Sequence, residues 1–219
     1  MKDKIVHSPL GITVLGAGKA KRKQLCRALE LAPCLVAADG GAVTALKLGL
    51  RPSAVIGDMD SAPELARLAP DMRIHRIPEQ ESTDFAKCLR NLSAPFVLAL
   101  GVAGPRLDHG LAALNALTRA REMPVIIVSG DDLVFHCPPR LRLELPVGTR
   151  LSLFPLAPLT GRSSGLEWPL DGIELSPMGR IGTSNRTTAP AVRLEFDAPG
   201  MLVLLPWRHL PQAIAALRD

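Results

Sequence analysis

The sequence predicts an α/β domain with a mostly parallel, Rossmann-like sheet, followed by a smaller all-β domain of sandwich or barrel type. Two patterns carry this. In the first part, short fully apolar runs alternate with segments whose apolar residues recur every three or four positions. After about Cys137 the alternation shortens to a period near two. A third observation bounds the class: no apolar run approaches the roughly 18 residues needed to cross a bilayer.

Taken in order, residues 12–15, 35–38, 54–56, 95–100 and 125–128 read as buried strands. Between them 19–31, 41–48, 84–92 and 108–121 read as helices, the arrangement that wraps a parallel sheet. Beyond Pro138-Pro139, residues 141–145, 150–154, 192–196 and 201–205 alternate as strands with one buried face, and 210–217 closes as a helix. The composition change places the domains at 1–137 and 138–219.

The 219 residues, 47% hydrophobic and 21% charged, suffice for a full core and two small domains. The start Met1-Lys2-Asp3-Lys4-Ile5-Val6-His7 lacks the apolar block of a signal peptide, so a soluble, cytoplasmic protein without a membrane partner is expected. The formal charge of +5 sets 26 basic against 21 acidic residues and reads as a solvated surface. Nucleic acid is disfavoured, because stacking needs aromatic platforms and the chain has 3% aromatic residues and no Tyr. Cys26, Cys34, Cys88 and Cys137 form no C-x-x-C pair and read as small buried hydrophobes.

The residues that carry chemistry cluster at strand ends. Gly16-Ala17-Gly18-Lys19 follows the first strand but lacks the glycine and hydroxyl spacing of a P-loop, so it is either a tight turn or a loop beside a ligand. Asp39 with Gly40 and Gly41, and Asp58 with Asp60 and Ser61, follow the next two strands, where ligands of open α/β sheets sit. Carboxylates so placed suit Mg²⁺, while any one alone reads as a cap or turn residue. Glu79-Gln80-Glu81-Ser82-Thr83-Asp84 opens a helix capped by Ser82 or Thr83. Asp84 and Lys87, three apart, share a face, either as metal and phosphate ligands or as an exposed ion pair. Finally, Gly104-Pro105-Arg106-Leu107-Asp108-His109 offers a guanidinium fork and a carboxylate at a helix start, with Asn115 on the face of Asp108. His109 reads first as a packing residue.

These clusters, in this order, resemble the thiamine pyrophosphokinase family. Its patterns A-D-G-G-A, G-D-x-D-S, D-Q-x-S-T-D-x-x-K and G-G-R-x-D-H match 38–42, 57–61, 79–87 and 104–109, with Glu79 for Asp and Pro105 for Gly. A G-L-x-[WY]-x-L segment and an S-N pair match 165–170 and 184–185, while Val43 departs from the family's usual Asn.

The resemblance implies a Mg²⁺-dependent transferase that moves the diphosphate of ATP onto the hydroxyl of thiamine. In it Asp58, Asp60 and Asp84 hold the metal. Asp39, Gly40, Gly41, Ser61, Gln80, Thr83, Lys87, Arg106 and Asn115 organise ATP, and Asp108 lies near the reacting centre. Thr183, Ser184 and Asn185 bind thiamine, with Trp168 as stacking surface or core residue, and a homodimer with active sites at the subunit interface is expected. The alternatives are a diphosphokinase for another alcohol, such as a hydroxymethyl pterin, or a non-catalytic nucleotide-binding module.

Overall fold

The computed structural model describes residues 4–60, 65, 67–104, 106–120 and 122–218. The chain divides into two compact units, Met1–Gly130 and Asp131–Asp219. The division precedes the composition change at Pro138, because the strand Asp132–His136 pairs antiparallel with Met201–Pro206 of the second unit.

The first unit contains β1 (Val6–His7), β2 (Ile12–Leu15), α1 (Arg22–Leu31), β3 (Cys34–Ala38), α2 (Gly41–Lys47), β4 (Ala54–Gly57) and β5 (Ile74–Arg76). It continues with α3 (Asp84–Asn91), β6 (Leu92–Ser93), β7 (Val97–Leu100), α4 (Leu107–Arg119) and β8 (Val125–Ser129). Six strands run parallel in the order β8–β7–β2–β3–β4–β5, and β1 pairs with β6 beside them. Strands β2, β4 and β7 are buried at every position, which is why they read as unbroken apolar runs rather than alternating ones.

The winding reverses at β2, so the loops leaving β2 and β7 lie side by side at the carboxyl edge. Three strands lie on the β3 side and two on the β7 side, whereas the dinucleotide-binding order has two and three. The strand order is therefore not that of the dinucleotide-binding fold.

The second unit contains β9 (Asp132–His136), β10 (Arg140–Glu144), β11 (Arg150–Pro155), β12 (Leu159–Ser164), β13 (Glu174–Leu175), β14 (Gly182–Arg186), β15 (Ala191–Phe196), β16 (Met201–Pro206) and α5 (Leu210–Arg218). Its strands form two antiparallel sets, β14–β11–β16–β9 and β10–β15–β12–β13. Alternation is visible in β10 and β15, where Leu141, Leu143, Val192, Leu194 and Phe196 are buried between exposed charges. Strands β12 and β14 have no such signal, being Leu-Thr-Gly-Arg-Ser-Ser and Gly-Thr-Ser-Asn-Arg.

The cysteine reading needs correction: all four are free, but Cys26 is exposed and Cys34 half-buried. Only Cys88 and Cys137 are buried, and burial pushes both thiols up, leaving them poor nucleophiles. No helix among the described residues is long and apolar enough to cross a membrane.

Thr13 is a polar residue with 0% exposure inside β2, and its hydroxyl donates to the carbonyl of Ala32 at the end of α1 (2.7 Å). Thr13→Val keeps the shape and strips that acceptor of its side-chain partner. It is expected to lower stability by about 1–3 kcal/mol in urea unfolding; no change would show that water replaces the hydroxyl.

Candidate active site

The loops that leave β2, β3, β4 and β7 surround a cavity of about 510 Å³. Gly16 and Gly18 form one wall against Gly101 and Gly104, and a Cβ on Gly16 would lie 2.5 Å from the carbonyl oxygen of Gly101. The glycine-rich turn after β2 is thus both a close backbone contact and part of the cavity wall.

Opposite stand Asp39, Asp58 and Asp84, each offering a carboxylate oxygen within 4.8 Å of the others. Gly57 makes this crowding sterically possible: a Cβ there would fall 2.7 Å from that of Asp39 and 3.0 Å from Oδ1 of Asp84. Asp58 and Asp84 come together as the sequence suggests. Asp39, expected among the ATP groups, completes the trio in place of Asp60. The Asp60 side chain is exposed outside that group, while its amide donates to Oδ1 of Asp58 (3.4 Å).

Helix α3 projects its charge into this site. Thr83 is the cap, its hydroxyl accepting from the amide of Ala86 (3.3 Å), so Asp84 begins the first turn and Lys87 follows on the same face. The pair is not an exposed surface bridge. Lys87 is 1% exposed, and its Nζ donates to Oδ2 of Asp58 (3.3 Å) and Oδ1 of Asp84 (3.1 Å). Burial alone would lower the ammonium's pKa, but hydrogen bonds and charge from Asp84 and Asp58 outweigh it and hold it raised.

The two carboxylates respond unequally. Burial pushes Asp84 up, assisted by the charges of Asp58 and Asp39 and opposed by Lys87. Asp58 feels burial too, but bonds from Lys87, Gln80 and the Asp60 amide leave it below the usual range. An all-oxygen, carboxylate-rich donor set of this kind fits a hard divalent cation such as Mg²⁺.

The loop before α3 is built around Glu79. Its Oε2 accepts from the amides of Glu81 (2.8 Å) and Ser82 (3.1 Å), while Oε1 accepts from the Ser82 hydroxyl and from Nη2 of Arg90, both at 2.5 Å. The Ser82 bond foremost, with Arg90 and the Glu81 amide, holds the Glu79 carboxyl down to about 2 against the opposing effect of burial. Gln80, presented by this loop, donates to Oδ2 of Asp58 (3.2 Å).

Across the cavity, Arg106 and His109 line the wall. Arg106 grips Asp108 through both carboxylate oxygens (3.2 and 2.6 Å), and that contact keeps Asp108 below its ordinary pKa. Both side chains are exposed at the start of α4. Asn115 does not join them: it is exposed and lines a separate cleft beside Arg119 and Met123. Its helical spacing from Asp108 was sound in sequence, but two turns along α4 carry it away from the cavity. Gly40 lines the cavity, whereas Gly41 opens α2 and is buried. Ser61 and Pro105 lie outside the described residues.

In the second unit, Asn185 is 3% exposed and its side-chain amide bonds to backbone through both its oxygen and its nitrogen. Its Oδ1 accepts from the amides of Trp168 (3.2 Å) and Arg186 (2.8 Å), and Nδ2 donates to the carbonyl of Trp168 (2.7 Å). Trp168 is therefore tethered by its backbone while its side chain, 54% exposed, is no core residue. Thr183 and Ser184 are exposed on the same edge strand β14, and Ser184 adopts φ 61° with its amide bonded to Ser152 Oγ (3.0 Å). Sequence reasoning missed Gly16 and Gly18 as firm wall residues and Arg90 altogether, since nothing in the local pattern shows which loop an exposed arginine reaches.

Comparison with known proteins is consistent across the chain. Residues 25–128 match the family profile for the thiamin pyrophosphokinase catalytic domain, and 135–201 that for the thiamin pyrophosphokinase vitamin B1 binding domain. The chain belongs to the thiamin pyrophosphokinase family. Thiamine pyrophosphokinase 1 of Oryza sativa subsp. japonica is 27% identical over 70% of this chain and 66% of its own length. Thiamine pyrophosphokinase 3 of the same plant is 32% identical over 68% and 64%. The chain thus spans just under two thirds of these relatives. The thiamin pyrophosphokinase structure from Candida albicans superposes with a TM-score of 0.76 at 14% identity, covering 90% of both chains. That from Geobacillus thermodenitrificans gives 0.74 at 22%, covering 90% of this chain and 97% of its own. At such identities these two show a shared fold.

The depressed Glu79 carboxyl makes only a small, solvent-screened contribution to stability, complete above its ordinary value of 4.5 and fading as pH falls toward about 2. A carboxyl-carbon NMR titration is expected to find Glu79 near the lower value and, in Ser82→Ala, nearer the ordinary one. Ordinary titration in the unmodified protein would show that the loop is not held as described.

Proposed function

We propose that the protein is a thiamine pyrophosphokinase, transferring the diphosphate of ATP to thiamine and releasing AMP. The observation that carries this reading is the trio Asp39, Asp58 and Asp84 around the buried Lys87, at the rim of a glycine-walled cavity large enough for nucleotide phosphates. Family membership supplies the reaction, and the geometry supports a division of labour.

Asp58 and Asp84, with Asp39 beside them and Asp60 two residues along, would hold Mg²⁺. The bound ion would neutralise the phosphate oxygens and favour charge build-up in the transition state. Lys87 bridges the Asp58 and Asp84 carboxylates and would add a fixed, buried positive charge behind them. Gly16, Gly18 and Gly40 let the backbone approach the chain of phosphates, and Thr83 and Gln80 close the near side. Arg106 faces the cavity from α4 and would bind the leaving phosphate with its planar fork.

In the reaction the thiamine hydroxyl oxygen forms a bond to the β-phosphorus. The bond from that phosphorus to the oxygen bridging the α-phosphate breaks, and AMP departs with that oxygen. The hydroxyl proton passes to a rim carboxylate. Asp108, exposed at the start of α4, would be the acceptor outside the metal group.

Thiamine recognition rests on the second unit in this reading. The Ser184 and Thr183 hydroxyls and the exposed Trp168 ring offer polar and stacking contacts, and Asn185 holds the tryptophan segment in place. A homodimer and a cytoplasmic setting accompany the proposal.

Incubation with thiamine, ATP and Mg²⁺ is expected to yield thiamine diphosphate and AMP in equal amounts, both lost with EDTA. AMP formed only with a hydroxymethyl pterin would transfer the assignment to that alcohol, and no AMP with either would end it. Asp58→Asn and Asp60→Asn are each expected to reduce turnover by about a hundredfold or more with circular dichroism unchanged. Near-normal turnover in Asp60→Asn would leave Asp39 as the third metal-holding carboxylate.

A further inference from the structure

We infer that Arg90 is a positioning residue for Asp58, acting through the loop 79–82 and Gln80. The inference rests on the reading of Asp58 as a metal-holding carboxylate. Arg90 lies one helical turn beyond Lys87 on α3, so one helix makes the direct contact to Asp58 and also holds the loop that makes the second. The first is direct, from Lys87 to Oδ2 (3.3 Å). The second passes through the loop: Nη2 of Arg90 donates to Oε1 of Glu79 and to Oγ of Ser82, both at 2.5 Å. Glu79 in turn gathers the amides of Glu81 and Ser82, and the loop so fixed presents Gln80 to Oδ2 of Asp58 (3.2 Å).

The remaining oxygen, Oδ1, takes the Asp60 amide, so the rotation of Asp58 is set from both sides. Arg76 adds a bond to the Asp58 carbonyl (3.3 Å), which fixes the backbone rather than the carboxylate. Residues 78–83 form no helix or strand, so the Glu79 clasp is the main order in that segment. The Arg90 side chain is 57% exposed, which excludes a packing role in the core. An exposed ion pair adds little to global stability, so its effect on the site is separable from any effect on folding. Partners that orient a metal-holding group commonly change affinity by tenfold or more when removed.

The test uses the full chain and Mn²⁺ as the probe, with free Mn²⁺ read by electron paramagnetic resonance in the absence of nucleotide. Arg90→Gln is expected to weaken Mn²⁺ binding about tenfold and to raise the metal concentration for half-maximal rate in step, with kcat at saturating metal nearly unchanged. Arg90→Lys should recover part of the loss. In a Gln80→Ala background Arg90→Gln should add nothing, because both act on one bond, and thermal melting should be the same in all variants. Unchanged Mn²⁺ affinity in Arg90→Gln, losses that add in the double variant, or losses that follow melting temperature would overturn the inference. Intact Mn²⁺ binding and coupling without diphosphoryl transfer would instead overturn the activity and leave the role of Arg90 standing.

Discussion

The first unit is organised around one buried ammonium. Lys87 at 1% exposure would be costly alone, since a charge taken out of water needs close partners. Asp58 and Asp84 provide them, and the demand reaches outward. It requires a cap at Thr83 so that Asp84 and Lys87 share a face, a strand end that delivers Asp58, and a glycine at position 57 so that three carboxylates can crowd together. The carboxyl edge of a parallel sheet is where such side chains gather.

The same surplus of carboxylates gives the site its direction. A stable core would not set Asp39 and Asp58 beside Asp84, because their charges raise the cost of ionising it. A divalent cation would relieve that cost, and the cavity beside the carboxylates is walled by glycine backbone, the arrangement proposed above for a charged complex. In the second unit the logic is different. Asn185 spends its amide on the backbone of Trp168, and the exposed ring and hydroxyls form the outward surface.

The central strands of the first unit were legible because they are uniformly apolar, and β2 is found at the residues read from the sequence, whereas the short strands β1 and β6 and the exposed, polar β5 (Ile-His-Arg) carry no such run and were not read. Strands β12 and β14 were not read either, since their polar residues lack alternation and their places come from pairing with β15 and β11. In the site, the clusters at strand ends pointed to the right loops but not to which oxygens meet. Asp39 joined the carboxylate group because Gly57 lets it approach, a packing fact that spacing cannot express. Asn115 was misplaced by extending a helix face past the cavity, and the reach of Arg90 to Glu79 depends on a loop whose path no periodicity encodes.

The central claim is that the three carboxylates around Lys87 form a divalent-cation site. Anomalous diffraction from crystals soaked in Mn²⁺ with a non-hydrolysable ATP analogue tests it most directly. The account predicts a single strong peak at about 2.0–2.3 Å from carboxylate oxygens of Asp58 and Asp84, bridging to the nucleotide phosphates. Ordered nucleotide in the cavity with no peak at these carboxylates would contradict it.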